Sequence, residues 1–453
     1  MEITRTLARF VVGHEASDVP EPVHHEAARS FLNWVGCAVG ASRHETVECA
    51  LAALKEFSGP AQATVLGRTE RLDIMHAALM NGITSHTFDF DDTHLKTVIH
   101  PSGPVASAIL ALAERSPVSG NAFLHAFVLG VEVECRIGNS VYPEHYDVGW
   151  HITGTAGVFG AAAAAGKLLG LNEQQLVWAL GIAATQSCGL REMFGTMCKP
   201  FHPGNAARNG LLAALLARAD FTSSNEGLEA KRGFARVLST AFEPGEITDR
   251  LGQTWEISLN TYKPFACGIV IHPIIDACIQ LRNEHGLQPD DIESINAKVH
   301  PLVLELTGKK TPQTGLEGKF SVYHSAAVAI IHGAAGEAEY SDACVRDARV
   351  TGLRDRVSAI VDRAMREDQT RVAIRLKNGG MTEKFVEHAI GSLDRPMSDG
   401  DLEAKFRRLT NGILTPSECD RLMRLCWDIG ELKDAGEVAR ASVPGHASNL
   451  IGK

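Results

Sequence analysis

The densest gathering of proton-carrying side chains lies between residues 81 and 103. It runs Asn81-Gly82-Ile83-Thr84-Ser85-His86-Thr87-Phe88-Asp89-Phe90-Asp91-Asp92-Thr93-His94, then His100-Pro101-Ser102-Gly103. Carboxylates, hydroxyls and imidazoles this close together suit general acid and base catalysis once burial and neighbours shift their pKa values. A plainer account has Asp91 and Asp92 capping a helix and the histidines at the surface. A metal site is a third account, but the stretch lacks the H-x-x-x-H or H-x-H spacing that fixes two imidazoles on one face.

Four further segments carry similar groups. His151, in Gly149-Trp150-His151-Ile152-Thr153-Gly154, stands just before an Ala/Gly-rich run, where the N–H groups of a helix start would hold a carboxylate beside the imidazole. Lys199 and His202 fall in the glycine-framed loop Gly195 to Gly204, ahead of a helix of small residues, where one ammonium could sit over a bound carboxylate. Neither G-x-x-x-x-G-K-[ST] nor G-x-G-x-x-G after a strand is present, so nucleotide binding is unsupported. Lys263 and His272 lie in Tyr262-Lys263-Pro264-Phe265-Ala266-Cys267-Gly268-Ile269-Val270-Ile271-His272-Pro273, and Tyr323 and His324 in Gly318-Lys319-Phe320-Ser321-Val322-Tyr323-His324-Ser325. Taken singly, each has a structural alternative: a capping His151, a solvated Lys199, a helix-start His272, a core Tyr323.

The elements that must position these groups are mostly helical. Apolar residues recur at three- and four-residue spacing from about residue 20 to about 240, and Gly154 to Gly166 suits a buried helix that neighbouring backbones approach closely. Asn172 with Gln175 has the form of a capping box, as does Thr415-Pro416-Ser417-Glu418. Strand-like alternation enters only at Ile292 to Val299 and at Arg371 to Leu376, the latter before the hairpin-like Asn378-Gly379-Gly380. Helices are expected between them at Ser321 to Ile331 and Val350 to Met365. The pattern therefore predicts a mainly α protein, with an all-helical domain of residues 1–265 and 396–453 and a smaller α+β lid of 266–395.

At 453 residues the chain exceeds what one hydrophobic core usually holds. Its net charge of −10, without a cluster of Lys and Arg, argues against nucleic acid or anionic lipid as a partner. An anionic substrate would then have to be drawn in by a local group of cations. The ten cysteines are scattered, with no C-x-x-C pair, and are expected to be reduced thiols. Met1 to Val12 are spaced as an amphipathic helix rather than a signal peptide, and no apolar run reaches the roughly 20 residues of a membrane span. A cytoplasmic protein is expected.

The five segments, in this order, resemble the MmgE/PrpD family, which includes 2-methylcitrate dehydratase, cis-aconitate decarboxylase and iminodisuccinate epimerase. The resemblance is strongest at Asp89-Phe90-Asp91-Asp92-Thr93 with His100-Pro101-Ser102-Gly103, and at Lys199-Pro200-Phe201-His202 with Gly204-Asn205-Ala206-Ala207. It implies a homodimer with a cleft between helical domain and lid, no cofactor and no metal. The implied active-site set falls on Asp89, Thr93, His100, His151, Lys199 and His272, with His202, Lys263, Tyr323 and His324 as further substrate contacts. His324 stands where the family usually has tyrosine, and Gly268 where it often has arginine.

The reaction this implies is proton transfer at a carbon next to a carboxylate of a small di- or tricarboxylate. Dehydration of a 2-methylcitrate-like hydroxy acid is the first expectation. Decarboxylation of a cis-aconitate-like acid and epimerisation of an iminodisuccinate-like acid are alternatives, and a non-catalytic carboxylate-binding protein is an alternative of another class. The cysteines lack the spacing of an iron–sulfur site, so side chains would have to supply the acid catalysis.

Overall fold

The computed structural model describes residues 2–445. Among them are twenty-one α-helices against four strands of five residues or more, a mainly α protein. No helix among the described residues is long and apolar enough to cross a membrane.

Local sequence decides many of the helix ends. Asn172 accepts from the Gln175 N–H at 2.9 Å and Gln175 returns the bond, opening helix Glu173–Ala184. Thr415 and Glu418 do the same for Pro416–Trp427. The Ala/Gly run forms helix Ile152–Leu168, buried from Ile152 through Gly166. Lys199 is not in a loop as expected: it occupies the first turn of helix Cys198–Arg218, whose start is held by Thr196 Oγ1 accepting from the Cys198 N–H.

A large hydrophobic cluster joins the N-terminal helices to the C-terminal ones, with Phe31 and Trp34 of helix Glu21–Gly40 in one core with Phe406, Leu422 and Cys426. A second cluster holds Ile274, Ile295, Val328, Val372 and Ile374, together with Phe90 and Leu409. Its sheet contains β1 (Ile292–Val299), β2 (Val357–Val361), β3 (Thr370–Leu376) and β4 (Met381–Val386), in spatial order β2-β1-β3-β4. β1 pairs parallel with β2 and antiparallel with β3, and Gly379, at φ +87°, turns β3 into β4. Here one expectation fails. The helix predicted over Val350 to Met365 ends at Arg354, and Val357 to Val361 form the edge strand instead. Val357, Ile360 and Val361 are β-branched, and pairing with β1 outweighs their short-range helical spacing.

Two helices that matter for the site cross where both lack a side chain. A Cβ on Gly82 of helix Ile74–Thr87 would lie 2.4 Å from the Gly204 Cα of helix Cys198–Arg218. Neither glycine could become alanine without separating the helices, and that closeness brings His86 to Lys199.

Candidate active site

Helix Ile74–Thr87 carries His86 in its last turn, and the chain then turns sharply: Asp89 sits in the left-handed region at φ +51°. The following Thr93–His94 pairs antiparallel with Asn260–Thr261, where Thr261 Oγ1 donates to the Thr93 carbonyl at 2.7 Å. That ribbon ties the acidic loop to the segment bearing Lys263. Asp92 does the capping work its position suggested, accepting from the Ser102 N–H and hydroxyl at the start of helix Ser102–Arg115. Asp91 instead turns inward to the imidazoles.

The resulting network is closely wired. Lys199 Nζ lies 3.0 Å from Asp89 Oδ1 and donates to His86 Nε2 at 2.9 Å. Lys263 Nζ reaches the same Asp89 oxygen at 2.7 Å. Since His86 Nε2 accepts from an ammonium, its proton is on Nδ1, which donates to Asp91 Oδ2 at 2.8 Å. His100 Nδ1 donates to the Asp92 carbonyl at 2.8 Å, which leaves the Nε2 lone pair free when the ring is neutral. His151 shares a 2.8 Å Nδ1–Nδ1 hydrogen bond with His202, and its ring lies 5.9 Å from that of His86.

Burial and charge set opposite protonation states side by side. Burial pushes the Asp89 carboxyl up, but the Lys199 and Lys263 ammoniums outweigh it and hold the acid well below the usual range. Asp91 is also held down against its burial, by the neighbouring His86 and His100 rings, His86 donating a hydrogen bond to it. Burial lowers His86, His100 and His151 and takes His202 to about 4, so these imidazoles are neutral at pH 7. Lys199 is lowered by burial, with Asp89 opposing the fall. A buried ammonium eased toward deprotonation beside neutral imidazoles is a workable acid and base pair.

Several of these groups line a cavity that opens to solvent, with about 440 Å³ of space free of protein atoms. Asp89, Thr93, His100, His151, Lys199 and Lys263 supply a polar wall; Gly268, Ile269, Val270, Leu306, Thr307 and Phe320, from later in the chain, supply a mostly apolar one, and Lys199 Nζ lies 5.4 Å from the centre of the Phe320 ring. Among the described residues, Lys199 and Lys263 are its only lysine or arginine lining, and Gly268 puts no charge into it. Val98, at φ +55°, lines both this cavity and a neighbouring one of about 1350 Å³.

The structure therefore gathers six of the ten expected residues in one cavity and sets His202 behind His151. The other three are elsewhere. His272 lines the neighbouring cavity, with neither ring nitrogen in a formed hydrogen bond, although the Cys267 carbonyl is near enough to favour the charged ring. Tyr323 packs in the second hydrophobic cluster, with Lys310 over its ring. His324 bonds through Nε2, at 2.8 Å from the Glu339 carbonyl. Because a carbonyl only accepts, that nitrogen carries the proton. Sequence reasoning passed over His86, Tyr146, Phe194 and Phe320. His86 had a signal, standing in the same short stretch as Asp89 and Asp91, whereas nothing marks the aromatics before folding.

Nitrogens and carboxylate oxygens of His86, His100 and His151, and of His86, Asp89, Asp91 and His100, lie within 4.8 Å of one another, close enough to hold a metal ion. Both sets need His86, whose two nitrogens are already engaged by Lys199 and Asp91. A dication there would meet two ammoniums, so the donor set fits an anion better than a metal.

The chain matches a known family over most of its length. Residues 5–247 match the MmgE/PrpD N-terminal domain and residues 265–429 the MmgE/PrpD C-terminal domain. The chain belongs to the MmgE/PrpD family. Among its relatives in this family, a cis-aconitate decarboxylase-like protein of Aspergillus oryzae is 26% identical over 96% of both chains. Human cis-aconitate decarboxylase is 27% identical over 95% of this chain and 92% of its own. A 2-methylcitrate dehydratase of Cupriavidus necator is 25% identical over 77% of this chain and 75% of its own. These MmgE/PrpD relatives are enzymes of two reaction types, and identities near one quarter leave the reaction type to the site.

Proposed function

We propose that this chain is a cofactor-independent lyase that moves protons at a carbon next to a carboxylate of a small polycarboxylate, most specifically by dehydrating a 2-methylcitrate-like hydroxy acid. The observation that carries the reading is the pairing of a neutral imidazole, His100, whose Nε2 lone pair is free, with the buried ammonium of Lys199 in one cavity. Dehydration needs both. His100 would take the proton from carbon, the charge that develops would flow into a substrate carboxylate facing Lys199 and Lys263, and an acid would protonate the departing hydroxide. Electrostatic stabilisation of that carboxylate is expected to lower the barrier most, with each proton-transfer role adding on the order of 10² to 10⁴ in rate. His151, braced by His202, is the second imidazole able to act as base or to orient the substrate.

Decarboxylation of a cis-aconitate-like acid is a second reading, favoured by relatives such as human cis-aconitate decarboxylase that match this chain over nearly their whole length. It would use the same cations, with the electron pair of the broken C–C bond held by the substrate and a proton returned from Lys199. The purified protein should be offered 2-methylcitrate, citrate and cis-aconitate in D₂O with NMR detection. An alkene formed with water from a hydroxy acid supports dehydration, and loss of carbon dioxide from cis-aconitate supports the second reading. Turnover of none of these acids would remove both.

On this reading the segments 1–265 and 396–453, of which residues 1 and 446–453 lie outside the described residues, make a helical body, and residues 266–395 make a lid that carries the apolar wall. The working unit is taken to be a cytoplasmic homodimer.

A further inference from the structure

Three consecutive carbonyls in the acidic loop are each held by a different buried lysine. Lys319 Nζ donates to the Phe88 carbonyl at 2.8 Å, Lys263 Nζ to that of Asp89 at 3.0 Å, and Lys405 Nζ to that of Phe90 at 2.6 Å. Two of these lysines also grip the segment that carries Lys263. Lys405 Nζ donates to the Lys263 carbonyl at 2.9 Å, and Lys319 Nζ to the Ala266 carbonyl at 2.8 Å. Lys405 further lies 4.0 Å from the centre of the Phe90 ring and donates to Asn33 Oδ1, while Lys319 pairs with Glu337.

Neither Lys319 nor Lys405 lines the cavity, and they come from separate elements: the entry to helix Val322–His332 and helix Asp399–Thr410. Their exposures are 3% and 1%. Burying an ammonium is costly, and the carbonyls, Asn33 and Glu337 return only part of that cost, so stability alone is a poor account of two such lysines at one loop. Between the gripped carbonyls stands Asp89, a non-glycine residue in the left-handed region, a conformation that persists only where the surroundings over-determine it.

We propose that Lys319 and Lys405 are positioning residues that clamp residues 88–90 onto residues 263–266, and thereby hold Asp89 at the angle that bonds both Lys199 and Lys263. The inference rests on the reading that Asp89 serves the reaction. In Lys405→Met, kcat falls about 10²-fold while KM changes little, as expected when a reacting group is displaced by about an ångström. In an Asp89→Asn background the same substitution adds much less, because the group it positions is already disabled.

Crystal structures of Lys405→Met and Lys319→Met separate the two ideas. Asp89 leaving its positive φ or losing the Lys199 contact supports the clamp, whatever the activity. An Asp89 unmoved in both variants overturns it, and so does failure of both to fold, which would make the lysines supports of the core. Normal turnover by Asp89→Asn alone would instead refute the role of Asp89, with the clamp still judged by its geometry.

Discussion

The two walls of the cavity are built on different principles. In the lining drawn from residues 89–199 together with Lys263, the side chains are wired to one another: Lys199 with Asp89 and His86, His86 with Asp91, His100 with the Asp92 carbonyl, His151 with His202, while Asp89 Oδ2 and Asp91 Oδ1 have no hydrogen-bond partner. The wall drawn from residues 268–320 offers Ile269, Val270, Leu306 and Phe320, and His272, close by in the chain, faces a neighbouring cavity with no formed hydrogen bond on its ring. A hydrogen-bonded wall holds charges in fixed places before the substrate arrives, which is what stabilising a developing carboxylate charge requires. An apolar wall discriminates by shape. Chemistry and selectivity are thus expected to separate by wall.

The hardest way to break this comparison is to disarm the polar wall. Lys199→Met should lower kcat about 10³-fold, and His100→Gln about 10²-fold, with unchanged circular dichroism. Near-normal turnover in both would move the chemistry away from this cavity. On the apolar wall, Val270→Ala should leave kcat for the best substrate within a few fold. It should change the kcat/KM preference between 2-methylcitrate and citrate by about tenfold, the scale of one methyl group in a fitted pocket.

His272→Phe sharpens the comparison further, and its effect on activity should be smaller still, under about tenfold, because the ring lies outside the polar network. A loss as large as that of Lys199→Met would show that the lid moves His272 into the reaction. Its stability signature is separate. Burial, with Lys263 adding to it, takes the folded pKa of His272 from 6.5 to about 3. Between these values the unfolded chain binds the extra proton, so stability present above pH 6.5 is lost as pH falls. From pH 7 to pH 5 that ring alone costs about 2 kcal/mol. The melting temperature of His272→Phe should therefore drop less over this interval than that of the natural chain. An equal drop would mean that His272 is not buried neutral.

Which residues meet in the cavity was legible largely through local pattern. Asp89, His100, His151 and Lys199 each stood in a short run of unusual composition, and the capping boxes at Asn172 and Thr415 are local hydrogen-bond rules that hold in any context. Less was legible past residue 265. His272, Tyr323 and His324 occupy motif positions as conspicuous as the others, yet one faces another cavity and two pack among core residues and backbone carbonyls. Similarly, Val357 to Val361 became a strand because β1, distant along the chain, offered it partners.

By itself the sequence determined the helical character, the family and the short runs of acids, imidazoles and lysines, since these depend on composition and on neighbours within a turn or two. Only the tertiary structure decided that His86 shares its proton-bearing ring between Asp91 and Lys199, that Asp89 is turned to a positive φ, and that three lysines from distant segments converge on residues 88–90. The reason is physical: pKa values and hydrogen-bond partners depend on distances of about 3 Å between groups far apart in the chain. Those distances are set by how closely helices pack, as at Gly82 and Gly204, and not by spacing along the sequence.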